Sequence, residues 1–318
     1  MTKARGQGST NSGGARTIEF HRSEQFPGVA VGYALPASDL RSYISNISHT
    51  RVAPEAGMIH DQIYPEWPNV RFSVEGEMTL CTGPGPLENC SPAGGIGPTS
   101  HATHFSLEPG RYWSIGLTPL GWARLFDASA ADYAERWEPV GPDSVFAPFS
   151  PLLEVVARDD PDGVVAAICA HVRRLLDGPE PDEDKIRRAH AALVDPEVTT
   201  VGEFASKAGM TVRTLERLSA TAFGFPPKLL LRRQRFLRSL SHFMLDPSLA
   251  WLETLDTQYV DQAHFIRDFK RFMDTTPRKY ASQPHPVLWA AAHARAATTG
   301  TAMQVLQAPP QPAPRRPA

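Results

Sequence analysis

The sequence lacks the features that mark secreted and membrane proteins. Its 318 residues include three cysteines, Cys81, Cys90 and Cys169, an odd number without metal-ligand spacing. Such a set argues against a disulfide framework and favours a reducing cytosol. No stretch approaches the ~18 consecutive apolar residues of a membrane-spanning helix. The N-terminus, MTKARGQGSTNSGGAR, has no apolar signal core. We therefore expect a cytoplasmic protein without a membrane partner.

Catalytic and metal-binding patterns are also scarce. No Ser-His-Asp or Cys-His set has a catalytic spacing, and the G-P-G-P run at 83–86 lacks the lysine and helix of a phosphate loop. His101 and His104 are three residues apart, so on one strand they would point to opposite faces rather than converge with His60 on a metal. The sequence predicts no enzyme, no metal and no cofactor.

Net charge is close to zero, but the charge is unevenly distributed. The whole chain carries −2, whereas residues 184–282 contain 16 basic and 11 acidic side chains. The remainder contains 16 basic and 23 acidic ones. A local positive excess of five is typical of a region that contacts nucleic acid.

The same C-terminal region contains a helix, a turn and a second helix at 199–224. Val201 begins a helix that would bury Phe204 and Ala205, and Gly209 suits a tight turn. Thr211 is a good cap for a second helix whose inward stripe would be Val212, Leu215, Leu218 and Ala222. Arg213, Thr214, Glu216 and Arg217 are then left near its outer face. This arrangement fits a DNA major groove.

A second, less regular unit spans 248–280. Trp251, Leu252 and Leu255 would form one helix, and Asp261 would cap the next, with Phe265, Phe269 and Phe272 inward and Pro277 as its stop. Pro226, Pro227 and Pro247 delimit a joining helix at 226–245, roughly 30 Å long at ~1.5 Å per residue. That length is close to the ~34 Å between successive major-groove faces. Arg232, Arg235 and Arg238 recur along one side of it.

These residues carry a resemblance to a known family. Thr200 to Tyr280 resembles the DNA-binding domain of AraC-type (AraC/XylS) transcriptional regulators, over about a quarter of the chain. The matches are A-x-x-x-G-M-T-x-R-T-L-E-R (Ala205–Arg217), R-R-Q-R-F-L-R (Arg232–Arg238), D-Q-A-H-F-x-R-x-F-K-R-F (Asp261–Phe272) and T-P-x-x-Y (Thr276–Tyr280). Gln258 and Asp274 stand where the family usually has glycine.

The resemblance implies base-reading positions at Arg213, Glu216 and Arg217 in the first unit. In the second unit it implies that Gln262, Ala263, His264 and Arg267 face bases or backbone. Other polar or basic residues of the same helices and of the joining helix are predicted to lie on the same surface. The full predicted DNA-binding set is Thr211, Arg213, Thr214, Glu216, Arg217, Arg232, Arg235, Gln262, Ala263, His264, Arg267, Lys270 and Arg271. Arg232, Arg235, Arg267 and Lys270 would position the DNA backbone while Arg217 and its neighbours specify bases.

The first half of the chain has a different pattern. Short β-prone runs at 29–35, 70–76, 78–83, 104–110 and 112–119 alternate with Gly/Pro/Asn-rich breaks, which favours an antiparallel sandwich or small barrel. Helices are predicted at 121–137 and 150–177, either packed on the sheet or linking the halves. G-P-T-S (Gly97–Ser100) and G-L-T-P-L-G-W (Gly116–Trp122) resemble the cupin-like sensing domains that precede AraC-type DNA-binding domains. Trp67, Phe72, Trp113 and Trp122 could line an effector pocket or form plain core.

The predicted fold is therefore multidomain α+β, with an N-terminal β-rich cupin-like sandwich or barrel and a C-terminal all-α domain. The boundaries are a disordered leader (1–15), a β-rich sensing or dimerisation domain (16–150), a helical connector (151–183), the DNA-binding domain (184–282) and an Ala/Pro-rich tail (283–318). We expect a bacterial, cytoplasmic, nucleoid-associated transcriptional regulator. Its partners would be double-stranded DNA and an unidentified small effector, with a second copy of the chain and RNA polymerase as further candidates. Two alternatives stay open: a cupin-type metalloenzyme with a helical appendage, and a sensor that has lost tight DNA binding.

Overall fold

The structure, a computed structural model, describes residues 18–22, 26–176, 178, 180–246 and 254–310. Within these ranges the N-terminal half consists of two antiparallel sheets and the C-terminal half is helical. This division confirms the predicted fold class. The predicted leader at 1–15 and two members of the predicted helix, Trp251 and Leu252, lie outside the described residues. Its third member, Leu255, is described and does not lie in a helix.

The strands form two antiparallel sheets. One sheet has seven strands in the order β1-β2-β3-β10-β5-β8-β11, and the other has four in the order β4-β9-β6-β7. The five β-prone runs each coincide with a strand. The strands are β1 (Glu19–Arg22), β2 (Val29–Ala34), β3 (Ile44–Val52), β4 (Ile59–Ile63), β5 (Asn69–Glu75), β6 (Met78–Thr82), β7 (Glu88–Asn89), β8 (Ala93–Ile96), β9 (Thr103–Leu107), β10 (Gly110–Leu117) and β11 (Trp137–Pro139).

The α-helices of the described residues are α1 (Pro119–Leu125), α2 (Leu152–Val156), α3 (Pro161–Leu175), α4 (Glu183–Val194), α5 (Val201–Lys207), α6 (Val212–Leu218), α7 (Pro227–Leu245), α8 (Gln262–Met273), α9 (Pro277–Ala281) and α10 (Pro286–Thr299). Helices α2 and α3 pack on one face of the large sheet. Helix α3 buries Val164, Ile168 and Val172 in the core that contains Phe72 and Trp113. Of the two alternatives for 150–177, packing on the sheet is therefore what the structure has. The prediction of one helix over 121–137 was wrong, because α1 ends at Leu125 and Trp137 pairs in a strand.

The two faces of the large sheet differ in polarity because successive side chains of a strand alternate between faces. In β10, Trp113 lies opposite His49 and Phe72 in register, and the Trp113 and His49 rings stack at 4.1 Å. The alternate residues Tyr112 and Ser114 line a cavity between the sheets. One face of the sheet thus supports α2 and α3, and the other forms a cavity wall.

The C-terminal segment corrects the prediction of a tail from residue 283. Residues Pro286–Thr299 form helix α10, and Val287, Leu288, Ala290 and Ala294 are buried. Helix α10 packs against β2 and β4 of the N-terminal half. Residues 304–306 add a short 3-10 helix in which Val305 is fully buried. The chain therefore returns to the N-terminal half after the second helix-turn-helix unit.

The first turn of α5 offers a local test of helix capping. The Thr200 hydroxyl accepts from the Glu203 amide at 3.2 Å, and the Glu203 carboxylate accepts from the Thr200 amide at 2.9 Å. Thr200→Ala removes half of this capping box, so we expect α5 to lose about 1 kcal/mol of local stability. Hydrogen exchange of the α5 amides measures it. Ser206→Ala in the same helix is the control, and equal protection in both variants would contradict the expectation.

Within the described residues, none of the helices has the length and apolar character needed to cross a membrane.

Candidate nucleic-acid interface

The first unit consists of α5, a glycine turn and α6. Gly209 has φ +66°, a conformation that side chains other than glycine rarely adopt. The Thr211 hydroxyl accepts from the Thr214 amide at 3.2 Å and caps α6, as predicted. Leu215 and Leu218 are buried, as predicted for the inward stripe. Val212 was assigned to that stripe wrongly: it is 42% exposed, because the first residue of α6 projects beyond the core.

The outer face of α6 presents polar side chains to solvent. Arg213, Glu216 and Arg217 are all exposed, and Thr214 is half-buried. The side chain of Arg217 is 60% exposed, and its Nη2 lies 3.4 Å from Oδ2 of Asp182. Hydrogen bonding from Lys185, with a smaller contribution from Arg217, lowers the pKa of Asp182. The outer face of α6 is therefore exposed to solvent, with one acidic contact at Asp182.

The joining helix is continuous. Helix α6 runs into a π-helical turn at Ser219–Phe223, and Gly224 at φ +81° reverses the chain before α7. Pro226 is the N-cap of α7 and Pro227 its first residue, so the predicted helix start is confirmed. Nineteen residues make α7 about 28 Å long at ~1.5 Å per residue.

Helix α8 of the second predicted unit packs on α7 through aromatic rings. Phe265, Phe269 and Phe272 are buried, and their ring centroids lie 5.1–6.2 Å from that of Phe236 in α7. The Asp261 carboxylate accepts from the His264 amide at 2.6 Å, which confirms the predicted cap. Along the other side of α8 the exposed residues are Gln262, Ala263, Arg267 and Lys270.

The prediction that Pro277 ends the helical segment was wrong. It is the first residue of helix α9, where its ring fits because the first helical position needs no amide donor. Asp274 ends α8 at φ +53°, a left-handed conformation that glycine adopts more readily. This explains why the family's usual residue there is glycine.

Asp268 joins α8 to α7. Its carboxylate is fully buried and accepts from Arg232 Nε at 2.6 Å, Arg235 Nη2 at 3.2 Å and Tyr259 Oη at 2.9 Å. Burial, with the neighbouring carboxylate, raises the pKa of Tyr259. Arg235 also donates to His264 Nε2 at 3.0 Å. Arg232 and Arg235, predicted as backbone contacts, are thus ion-paired within the protein, and Arg232 keeps 40% of its side chain exposed.

Arg271 contacts the N-terminal half rather than solvent alone. It donates to the Ser100 carbonyl at 3.4 Å, to the Ser100 hydroxyl at 3.2 Å and to His101 Nε2. The backbone of the same strip is joined to α8, because the Ala102 amide donates to the Phe272 carbonyl at 2.7 Å. One member of the predicted DNA-binding set is therefore covered by the N-terminal half.

Arg233 is a buried residue that the sequence pattern did not single out. Its Nη1 donates to the Thr99 carbonyl at 2.8 Å, and its guanidinium lies 4.1 Å from the Trp67 ring centroid. Burial lowers the pKa of Arg233 to about 9. The spacing from Leu230 to Arg233 and on to Leu237 is three and then four residues, so helical periodicity places Arg233 on the apolar stripe.

The four aromatics proposed as effector contacts do not form one site. Phe72 and Trp122 lie in the core between the large sheet and its helices, and Trp67 packs on Arg233. Only Trp113 borders the cavity between the sheets, and it is 1% exposed. Phe72, Trp122 and Trp67 do not line this cavity, because their side chains pack elsewhere in the core.

The cavity itself measures about 80 Å³ and has two unlike walls. One is polar and comes from the large sheet; the other is apolar and comes from the small sheet and α10. The polar wall includes Tyr33, Asn46, Ser48, Thr50, Asn69, Arg71 and Ser114; the apolar wall includes Met78, Phe105, Leu107, Val287, Leu288 and Ala291. Near the polar wall Arg71 Nη2 pairs with Glu66 at 2.7 Å, and burial raises the pKa of Glu66.

Two of the three histidines weighed as metal ligands, His60 and His101, have other side-chain partners. His60 Nδ1 lies 2.6 Å from the Ser106 hydroxyl, and His101 Nδ1 lies 3.2 Å from the Asp274 carboxylate. Burial lowers the pKa of His104. Across the described part of the chain, no group of three or more His, Cys, Asp or Glu side chains is placed to hold a metal ion.

In the part of the chain that the structure describes, one helix-turn-helix unit, α5 and α6, and a second helix with a polar outer face, α8, pack on the continuous helix α7, an arrangement typical of a DNA-binding protein. Residues 204–283 match the family model of a helix-turn-helix domain, that of the AraC type. The C-terminal part of this chain is thus an AraC-type helix-turn-helix domain, and the protein is a DNA-binding transcriptional regulator.

Comparison with solved structures found general likeness only. ToxT from Vibrio cholerae O395 is 13% identical, with 71% of this chain and 95% of that chain covered and a TM-score of 0.38. The AraC-like transcriptional activator CuxR is 12% identical over 71% of this chain and 87% of its own, with a TM-score of 0.29. A single-residue variant of the oxalate decarboxylase of Bacillus subtilis is 10% identical over 35% of this chain and 30% of its own, with a TM-score of 0.26. A comparison with curated proteins found no match.

Proposed function

We propose that this regulator reads DNA sequence with both units, α6 and α8 entering successive major grooves on one side of the duplex. The observation that carries the proposal is the exposure of the outer faces of both helices, while a continuous α7 joins their buried faces. Footprinting on genomic DNA tests it. Protection of two segments about one helical turn apart is expected, and the proposal fails if one segment or none is protected.

The side chains divide by chemistry. Arg213 and Arg217 have the donor geometry for guanine edges, Glu216 can accept from a cytosine amino group, and Gln262 suits adenine. Ala263 offers apolar contact to a thymine methyl. Thr211, Thr214, His264, Arg267 and Lys270 complete the surface, with Arg267 and Lys270 as phosphate contacts. Arg232 and Arg235 act chiefly by holding Asp268, and Arg271 joins the surface only when it leaves Ser100.

Arg217 and Lys270 should differ in what they contribute. We expect Arg217→Ala to cost about 1–3 kcal/mol at sites with its preferred base and to relax choice at that position. We expect Lys270→Ala to weaken all sequences alike and to reduce the salt slope by about one. A binding-site array at several salt concentrations measures both. Unchanged discrimination by the Arg217 variant would remove that residue from the base-reading set.

We also propose that a small effector controls this binding from the cavity between the two sheets. The polar wall offers hydroxyl, amide and guanidinium groups for orientation, and the opposite wall is apolar, a combination common to small-molecule sites. We place the protein in the bacterial cytoplasm and on the nucleoid when bound to DNA. We further propose that the protein contacts a second copy of itself or RNA polymerase when it regulates transcription. The metalloenzyme alternative gains no support from the histidine positions.

A further inference from the structure

Helix α10 closes the cavity that we propose as the effector site. Val287, Leu288 and Ala291 on its inner face are part of the cavity lining. The cavity measures about 80 Å³, whereas small-molecule pockets are typically ~300–1,000 Å³. An effector of ordinary size therefore needs α10 to move, so the structure shows the closed form of the site.

The N-terminus of α10 is held by a carboxylate of the sensing half. Asp61, in β4, accepts from the Val287 and Leu288 amides at 2.9 Å each. The other oxygen of Asp61 lies 3.0 Å from His285 Nδ1, and the carboxylate is fully buried. Helix α10 has no cap of its own, so a residue more than 200 positions earlier supplies it. Capping thus depends on the two halves staying together.

The other end of α10 is held by the cavity wall itself. Arg295 is 2% exposed and donates to Tyr33 Oη at 2.9 Å and to Asn46 Oδ1. Tyr33 and Asn46 both line the cavity. A ligand that hydrogen-bonds to these two groups therefore competes directly with Arg295. If the ligand took Tyr33 and Asn46 from Arg295, the buried guanidinium would be short of acceptors, which favours release of α10.

The closed helix is also joined to the DNA-binding half. Only residues 282–285 separate α9 from α10, and the Tyr280 and His285 rings stack at 4.1 Å. Beyond α10, the Val305 carbonyl accepts from Gln234 of α7 at 2.7 Å. These contacts keep α7 and α8 against the strip at 99–102, where Arg271 is covered by Ser100 and His101.

We propose that α10 is a ligand-operated lid: a small molecule with hydrogen-bonding groups along one edge and an apolar body displaces it, the halves separate, and Arg271 becomes free to bind a DNA phosphate. This inference rests on the proposed function. The closed form shown here is the weaker DNA binder, and the effector raises DNA affinity. One additional phosphate contact steepens the slope of log K against log salt by about 0.9.

The test uses full-length variants that loosen the lid without a ligand. Arg295→Met removes one anchor, and Asp61→Asn weakens the other, because it keeps one acceptor oxygen but loses the second and the charge. Asp39→Asn, which weakens the exposed pair with Arg173, is the control. Hydrogen exchange at 286–299 and the fluorescence of 1-anilinonaphthalene-8-sulfonate report whether the lid is open. DNA affinity is measured on the fragment recovered by footprinting, across a range of salt concentrations.

We expect both variants, but not the control, to exchange faster in α10, to bind the dye, and to bind DNA several-fold more tightly with the steeper salt slope. Adding Arg271→Ala to Arg295→Met should return the slope to the wild-type value. Faster exchange in α10 with an unchanged slope overturns the coupling, and unchanged exchange in both variants overturns the assigned anchors. If Asp61→Asn does not fold, Arg295→Met decides. Absence of DNA binding by the wild-type protein would instead refute the proposed function.

Discussion

Replacing Asp268 with alanine is expected to lower the stability of the second unit by about 3 kcal/mol and to abolish its contribution to DNA binding. The change removes the acceptor shared by Arg232, Arg235 and Tyr259. Breaking a buried ion pair by removing one partner typically costs ~3–5 kcal/mol, because the remaining charge loses its partner. We place this variant at the lower end because Arg232 is 40% exposed and can turn to water.

Local hydrogen exchange distinguishes this result from general unfolding. The α8 amides should lose protection while those of α5 and α6 keep it. Asp268→Asn, which retains one carbonyl oxygen, should fall between alanine and wild type. Asp39→Ala removes an exposed ion pair and should cost less than ~1 kcal/mol. If α8 in Asp268→Ala were as protected as in the wild type, Asp268 would not hold the second unit in place.

The parts of the interface that sequence predicted are those set by neighbouring residues. Thr211 and Asp261 cap their helices with hydroxyl or carboxylate oxygens only three residues from the amides they accept from. Phe265, Phe269 and Phe272 repeat at helical spacing and are buried together. Capping and periodicity need no knowledge of the rest of the chain, so these assignments were confirmed.

The features that sequence missed depend on partners far along the chain. Helix α10 is rich in alanine and takes its cap from Asp61, 226 positions before Val287. Composition alone therefore indicated a tail. Likewise the longest strand, β3, places Asn46, Ser48 and Thr50 on the cavity wall. Because its inner face is polar, β3 lacks the apolar alternation by which strands are recognised.

The arginines illustrate why site residues are harder to predict than elements. From sequence alone, a basic side chain predicted near the DNA-facing surface is assigned to a phosphate. The sequence does not show whether a carboxylate of the protein lies close enough to pair with that side chain instead. Arg232 and Arg235 bind Asp268 from the facing helix, and Arg271 binds Ser100 and His101 from the other half. The RRQR run also contains Arg233, which is buried. Helical spacing separates Arg233 from its neighbours, but only tertiary packing identifies the partners of the others.

Phe236→Ala is expected to cost about 3–5 kcal/mol, because its ring is the contact of α7 with all three phenylalanines of α8. Phe236 is fully buried, so truncation leaves a cavity at the joint between the reading helices. The second unit should then move independently of the first. Denaturant unfolding gives the magnitude, and exchange of α8 amides gives the location.

The control for Phe236→Ala is a cavity of the same size elsewhere. Phe149 is fully buried in the core beneath the large sheet, so Phe149→Ala should destabilise the protein comparably yet leave α8 protected. Phe236→Leu keeps most of the apolar volume and should cost less than either truncation. If two half-sites bind Phe236→Ala as tightly as wild type, while Phe149→Ala shows the expected loss of stability, the two units do not need α7 to hold their spacing. DNA binding itself would then set the spacing of the two units, because the substitution removes the aromatic contacts that fix α8 on α7.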